Sequence, residues 1–90
     1  MNILYSPIRA DFEIIYTFGN DSITATIAGQ SDTFDFSAIP NGLLAEITTT
    51  LQYNPIISAE RKEGVLSVVL LNPIGVDATE EEKYPEWTVI

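Results

Sequence analysis

Phe12-Glu13-Ile14-Ile15-Tyr16-Thr17-Phe18, then Gly19-Asn20-Asp21, then Ser22-Ile23-Thr24-Ala25-Thr26-Ile27-Ala28 is the stretch that decides the fold. In the first arm Phe12, Ile14, Tyr16 and Phe18 fall on one face of an extended segment, with Glu13, Ile15 and Thr17 on the other. In the second arm Ile23, Ala25 and Ile27 turn inward, and Thr24 and Thr26 turn outward. The residues between the arms tolerate positive φ and close a tight hairpin. A second turn signal, Gly29-Gln30-Ser31-Asp32, leads into Thr33-Phe34-Asp35-Phe36-Ser37, where two phenylalanines share a face. An antiparallel three-stranded meander is the simplest product.

Toward the C-terminus, Pro40-Asn41-Gly42 interrupts the alternation. Leu44, Ile47 and Leu51 follow at i, i+3 and i+7 with Leu43 beside them, which predicts a short amphipathic helix near 43–52 opened by Asn41. The β-branched run Thr48-Thr49-Thr50 opposes that reading, and Asn54-Pro55 bounds it. Ile56 to Arg61 and Val65 to Leu71 read as a hairpin across Lys62-Glu63-Gly64. Its second arm is apolar on both faces apart from Ser67, the pattern of a strand covered on both sides, and the 43–52 helix is the expected cover. Asn72-Pro73 is expected to stop this strand, residues 74–86 to form a loop, and Trp87 to Ile90 to close as a short terminal strand. The fold class is therefore mainly β (α+β): an antiparallel sheet of about five to seven short strands with one short helix near 43–52 packed on it, in a single domain over residues 1–90.

Composition narrows the chemistry. The 90 residues include no histidine and no cysteine, and 4 Lys+Arg stand against 13 Asp+Glu for a net charge of -9. No disulfide framework, thiolate or imidazole is on offer. A hydrophobic fraction of 46% fits a globular chain. Arg9, Arg61, Lys62 and Lys83 are too few for a basic stripe, so nucleic-acid binding is rejected. The same charge disfavours anionic membrane surfaces, and apolar runs such as Val68-Val69-Leu70-Leu71 are far too short to span a bilayer. Met1 to Pro7 lacks a basic n-region and a long h-region, so no signal peptide is expected.

The acidic stretch Asp77, Glu80, Glu81 and Glu82 offers hard oxygen ligands, yet it lacks the ligand spacing and glycine of a calcium loop. Thr79 with Glu82 instead matches a capping box opening one short helical turn. Asp11, Glu13, Asp32 and Asp35 are the carboxylates available for acid–base work, but Asp35 between Phe34 and Phe36 points to the wet face. No phosphate loop or nucleophile elbow is present. The reading is no enzyme, no cofactor and no metal. Phe12, Tyr16, Phe18, Phe34 and Phe36 read as core. Trp87 reads as the pin of the last strand, with an interface anchor as the alternative. The candidate protein-binding patch is Asp77, Glu80, Glu81, Glu82, Tyr84 and Trp87.

Several segments carry a resemblance: Tyr5-Ser6-Pro7 with Arg9; Phe34-Asp35-Phe36-Ser37 with Pro40 and Gly42; Asn54-Pro55-Ile56 with Ala59, Arg61, Gly64 and Leu66; and Asp77-Ala78-Thr79-Glu80-Glu81-Glu82-Lys83-Tyr84-Pro85-Glu86-Trp87. Over nearly its whole length the chain resembles a family of small proteins encoded in phages and prophages of Gram-positive bacteria, often near tail or tail-fibre genes. The resemblance brings no catalytic or binding residues with it. It implies a virion or assembly role in the host cytoplasm, with tail proteins as partners; the charge has already set aside nucleic acid and membrane as partners. The alternative is an acidic DNA mimic that inhibits a host nucleic-acid-binding protein. Oligomeric state stays open, with Pro7 and Pro85 placed to protect sheet edges.

Overall fold

A computed structural model describes residues 1–44, 47–83 and 85–90. Eight strands and one helical turn are assigned among them: β1 Asn2–Arg9, β2 Ile14–Gly19, β3 Ser22–Ile27, β4 Gln30–Asp35, β5 Gly42–Leu43, β6 Ile56–Lys62, β7 Val65–Ile74, α1 Glu80–Lys83 and β8 Thr88–Val89. They form two sheets, one of five strands in the order β5-β6-β7-β1-β8 and one of three in the order β2-β3-β4. The mainly β class therefore stands, with two sheets in place of the single antiparallel sheet that the alternation implied.

The three-stranded sheet is the expected meander. Its registers run Ile14↔Ile27 to Gly19↔Ser22 and Ser22↔Asp35 to Ile27↔Gln30. The alternation read from sequence is visible as burial: Ile23, Ala25 and Ile27 are buried. Across the sheet's outer face, the hydroxyls of Thr24 and Thr33 meet at 2.9 Å and those of Thr26 and Ser31 at 2.7 Å. These cross-strand pairs hold the register from the solvent side. Ala28 (φ 50) and Gly29 (φ 80) close the second hairpin, and Glu63 (φ 51) and Gly64 (φ 81) close β6–β7. Positive φ at both central residues is the primed turn that matches strand twist, and it fixes these two hairpins locally.

The five-stranded sheet is mixed. β6 and β7 pair antiparallel as expected, with an irregularity between Ile56 and Ser58 that leaves Ile57 half exposed. β1, however, pairs parallel to β7 from Asn2↔Ser67 to Arg9↔Ile74. β7 also runs past Asn72-Pro73 to Ile74, correcting the expected stop. The reason is geometric. Leu71 N donates to Pro55 O on the β6 side, so the nitrogen of Pro73, two residues on, faces the same side beyond the end of β6. Likewise Ala10 N donates to Ile74 O on the β7 side, which turns the nitrogen of Pro7 to the opposite, open edge of β1. Neither proline removes a ladder bond.

The sheets pack face to face over one apolar cluster. Ile3, Ile56, Ala59, Leu66, Val68 and Leu70 come from the five-stranded sheet, and Ile14, Ile23, Ala25, Ile27, Phe34 and Phe36 come from the meander side. Phe12, Tyr16 and Phe18 are only half buried against it. Two polar clamps join the layers. The Tyr16 hydroxyl donates to Leu71 O, and Arg61 donates to Asp21 and to Phe36 O.

The helix expected near 43–52 is not found in its described part. Gly42–Leu43 is β5, and Leu44 N donates to Ala59 O as a continuation of that pairing. Residues 47–53 have no regular structure, and residues 45 and 46 lie outside the described set. The β-branched threonines explain the outcome. The Thr49 hydroxyl and the Thr50 N–H donate to the Asp32 carboxylate at 2.8 and 3.2 Å, and Leu51 N donates to Thr49 Oγ1. Such side-chain bonds offer the backbone an alternative to helix. The meander, not a helix, covers the inner face of β7. Among the described residues no helix covers its outer face, which carries Val65 and Val69, and Val65 is 49% exposed.

Candidate functional site

The acidic segment begins where β7 ends. Ala78 N donates to Gly75 O at 3.3 Å in a turn, and Thr79 then opens α1. Thr79 Oγ1 accepts from Glu82 N at 3.2 Å while Glu82 Oε1 accepts from Thr79 N at 3.3 Å. This reciprocal pair is the capping box read from Thr79 and Glu82. Lys83 N closes the turn on Thr79 O, and the Lys83 ammonium lies 3.9 Å from Glu80. Acids at the start and a lysine at the end suit the turn's dipole. Asp77, Glu80 and Glu82 are exposed, and Glu81 is the second residue of α1. Tyr84 lies outside the described residues.

Asp77 and Glu82 line a shallow cleft of about 480 Å³ together with Asp11, Gly75, Val76 and Ala78. Asp11 arrives there because β1 and β7 are parallel and end side by side, at Arg9↔Ile74. Its place beside Asp77 therefore depends on a pairing between distant segments that alternation does not encode. Val76, 75% exposed, is the apolar part of this surface, and no periodic pattern marks it.

Trp87 is not brought into the cleft. β8 runs antiparallel to β1, with Thr88 opposite Ile3 and Val89 opposite Asn2, so Trp87 stands near the level of Leu4. The acids cluster beyond the level of Arg9, roughly 16 Å away along the strand. The candidate patch is thus a strip returning along the β1 side of the sheet. Trp87 is 52% exposed, with Val89 at 78% and Ile90 at 52%. β8 itself is held by its short ladder to β1 and by Ile90 N donating to Met1 O.

The remaining carboxylates serve structure or stand alone. Asp32 is occupied by Thr49 and Thr50. Asp35 is exposed and accepts from Ser37 N at 2.9 Å, which holds its carboxyl below the ordinary range. Asp21 pairs with Arg61. Among the described residues, no group of three or more histidine, cysteine or acidic side chains is placed to hold a metal ion. Among them, too, no helix is long and apolar enough to cross a membrane. Comparison with models of protein families, with curated proteins and with solved structures finds no match.

Proposed function

We propose that this chain is a non-enzymatic phage or prophage accessory protein of the host cytoplasm that works through protein contacts, in tail assembly or as a minor tail component of the virion. One structural observation carries the contact reading. Val76 is exposed beside exposed Asp77, Glu80 and Glu82 at one end of the strip, and Trp87, Val89 and Ile90 are exposed beside Glu86 at the other. An exposed aromatic anchor with aliphatic neighbours at one end and a cluster of acids at the other make the composition of a contact surface. The partner it fits presents an apolar depression opposite Trp87 and basic groups further along, opposite the acids. The sequence resemblance supplies the tail setting, by association and not by mechanism.

Affinity capture on the immobilised chain from an induced lysogen tests this reading. Tail proteins are the expected catch. Recovery of only replication factors or host nucleic-acid-binding regulators would count against it and favour the acidic mimic.

A further inference from the structure

The meander ends on an open strand. β2 bonds to β3 on one side, and among the described residues no backbone group bonds to its other side. The direction of the free groups follows from the turns. The Ala28-Gly29 turn closes on Ile27↔Gln30, and the pair flanking a two-residue turn exchanges both of its hydrogen bonds. Ile23, Ala25 and Ile27 therefore bond toward β4, while Ser22, Thr24 and Thr26 bond toward Gly19, Thr17 and Ile15 of β2. The N–H and C=O groups of Ile14, Tyr16 and Phe18 are left pointing outward.

Every other edge is blunted, and this one is not. β5 and β8 are two residues each. β1 beyond β8 carries Pro7 on its open side, and Asp32 of β4 is tied to Thr49 and Thr50. β2 has six residues, Ile-Ile-Tyr-Thr-Phe-Gly, without a charge or a proline. Short edges, prolines and charges are the usual protection against strand addition. A second observation agrees. On the central strand the inward Ile23 and Ala25 are 0% exposed, whereas inward Tyr16 and Phe18 of β2, stacked at 6.4 Å, are only half-buried. Outward Ile15 is 56% exposed.

The geometry points to a second copy of this chain as the occupant, pairing antiparallel along β2 to join two meanders into one continuous sheet across a two-fold axis. The faces match only where the paired residue numbers sum to an even value. The register centred on Tyr16 opposite Tyr16 uses all the free groups, because Ile14 then meets Phe18 and each of these pairs exchanges both bonds. Outward Ile15 meets Thr17 of the other copy, covering the exposed isoleucine, and the paired strands themselves carry no charge. A chain of net charge -9 repels its copy everywhere else. Salt therefore strengthens this self-pairing, the opposite of its effect on a cationic peptide at the same edge.

Sedimentation velocity with residue-resolved amide exchange, over a wide concentration range at low and high salt, tests the proposal. A dimer favoured by concentration and by salt is expected. With nine chains in ten paired, the Tyr16 and Phe18 amides exchange about tenfold more slowly. A monomer throughout, or a dimer whose Tyr16 and Phe18 amides exchange as in the monomer, overturns it. Ile15→Lys combined with Thr17→Lys sets like charges opposite one another and abolishes the dimer. Mixing that variant with Ile15→Glu/Thr17→Glu restores pairing between the two. Persistence of the lysine variant's dimer contradicts the register. The wild-type exchange result decides the matter even if a variant fails to fold.

Discussion

The guanidinium of Arg61 lies 3.2 Å from the carboxylate of Asp21, fastening β6 of the five-stranded sheet to the β2–β3 turn of the meander. The two partners are unequally exposed, at 13% for the Arg61 side chain and 41% for Asp21. Arg61 also donates to Phe36 O at 2.8 Å and to Gly64 O at 3.2 Å. Removing the arginine strands several acceptors at once. Arg61→Met is expected to cost about 2 kcal/mol. Asp21→Asn keeps a residue suited to positive φ and loses mainly a half-solvated charge, so it costs about 0.5 kcal/mol. Urea unfolding of the two variants checks this order.

Asp32 reaches across to the segment that the spacing of Leu44, Ile47 and Leu51 marked for a helix. Its carboxylate holds both Thr49 and Thr50. Asp32→Ala is expected to cost about 1 kcal/mol and to speed amide exchange at Thr50 and Leu51 while leaving the β3 amides unchanged. Exchange measured by NMR gives both readings together.

Tyr16 has its pKa raised above the ordinary 10.0, chiefly by burial and then by neighbouring Tyr5. Tyr5 is itself raised by burial. Protons are therefore held more tightly in the folded state than in the unfolded state. This stabilisation is complete below pH 10 and is lost as pH rises above it. Stability is expected to fall with pH beyond that point. Tyr16→Phe leaves Leu71 O without its hydroxyl donor, costs about 1–2 kcal/mol, and makes the alkaline decline shallower. Denaturation midpoints on either side of pH 10 measure it.

The legible parts of the fold are those where neighbouring residues carry the whole message. The meander from Ile14 to Asp35 could be read because alternation and turn residues sit side by side, and the β6–β7 hairpin could be read for the same reason. The parallel pairing of Asn2 with Ser67 was not legible, because both strands are compatible with several neighbours until the meander is placed between them in the chain. The 43–52 helix failed because its apolar spacing also suits an irregular segment, and Asp32, distant in sequence, supplies the competing bonds to Thr49 and Thr50. At the candidate site, the capping box of Thr79 and Glu82 was visible as a local motif. The arrival of Asp11 beside Asp77, and the separation of Trp87 from the acids, both follow from the register of β1 with β7 and β8.

The account rests on exposed side chains of the 76–90 segment, among them Val76, Asp77 and Trp87, doing the protein's work by contact. Capture from an induced lysogen, run in parallel on the wild-type chain and on Asp77→Lys/Trp87→Ala, tests that most directly. Asp77 is exposed and Trp87 half exposed, so the variant should keep the fold and lose about 1–2 kcal/mol of stability. The account predicts that tail proteins are retained by the wild type and that their recovery falls about tenfold or more on the variant, the effect of losing an interface anchor. Equal recovery on both would contradict it.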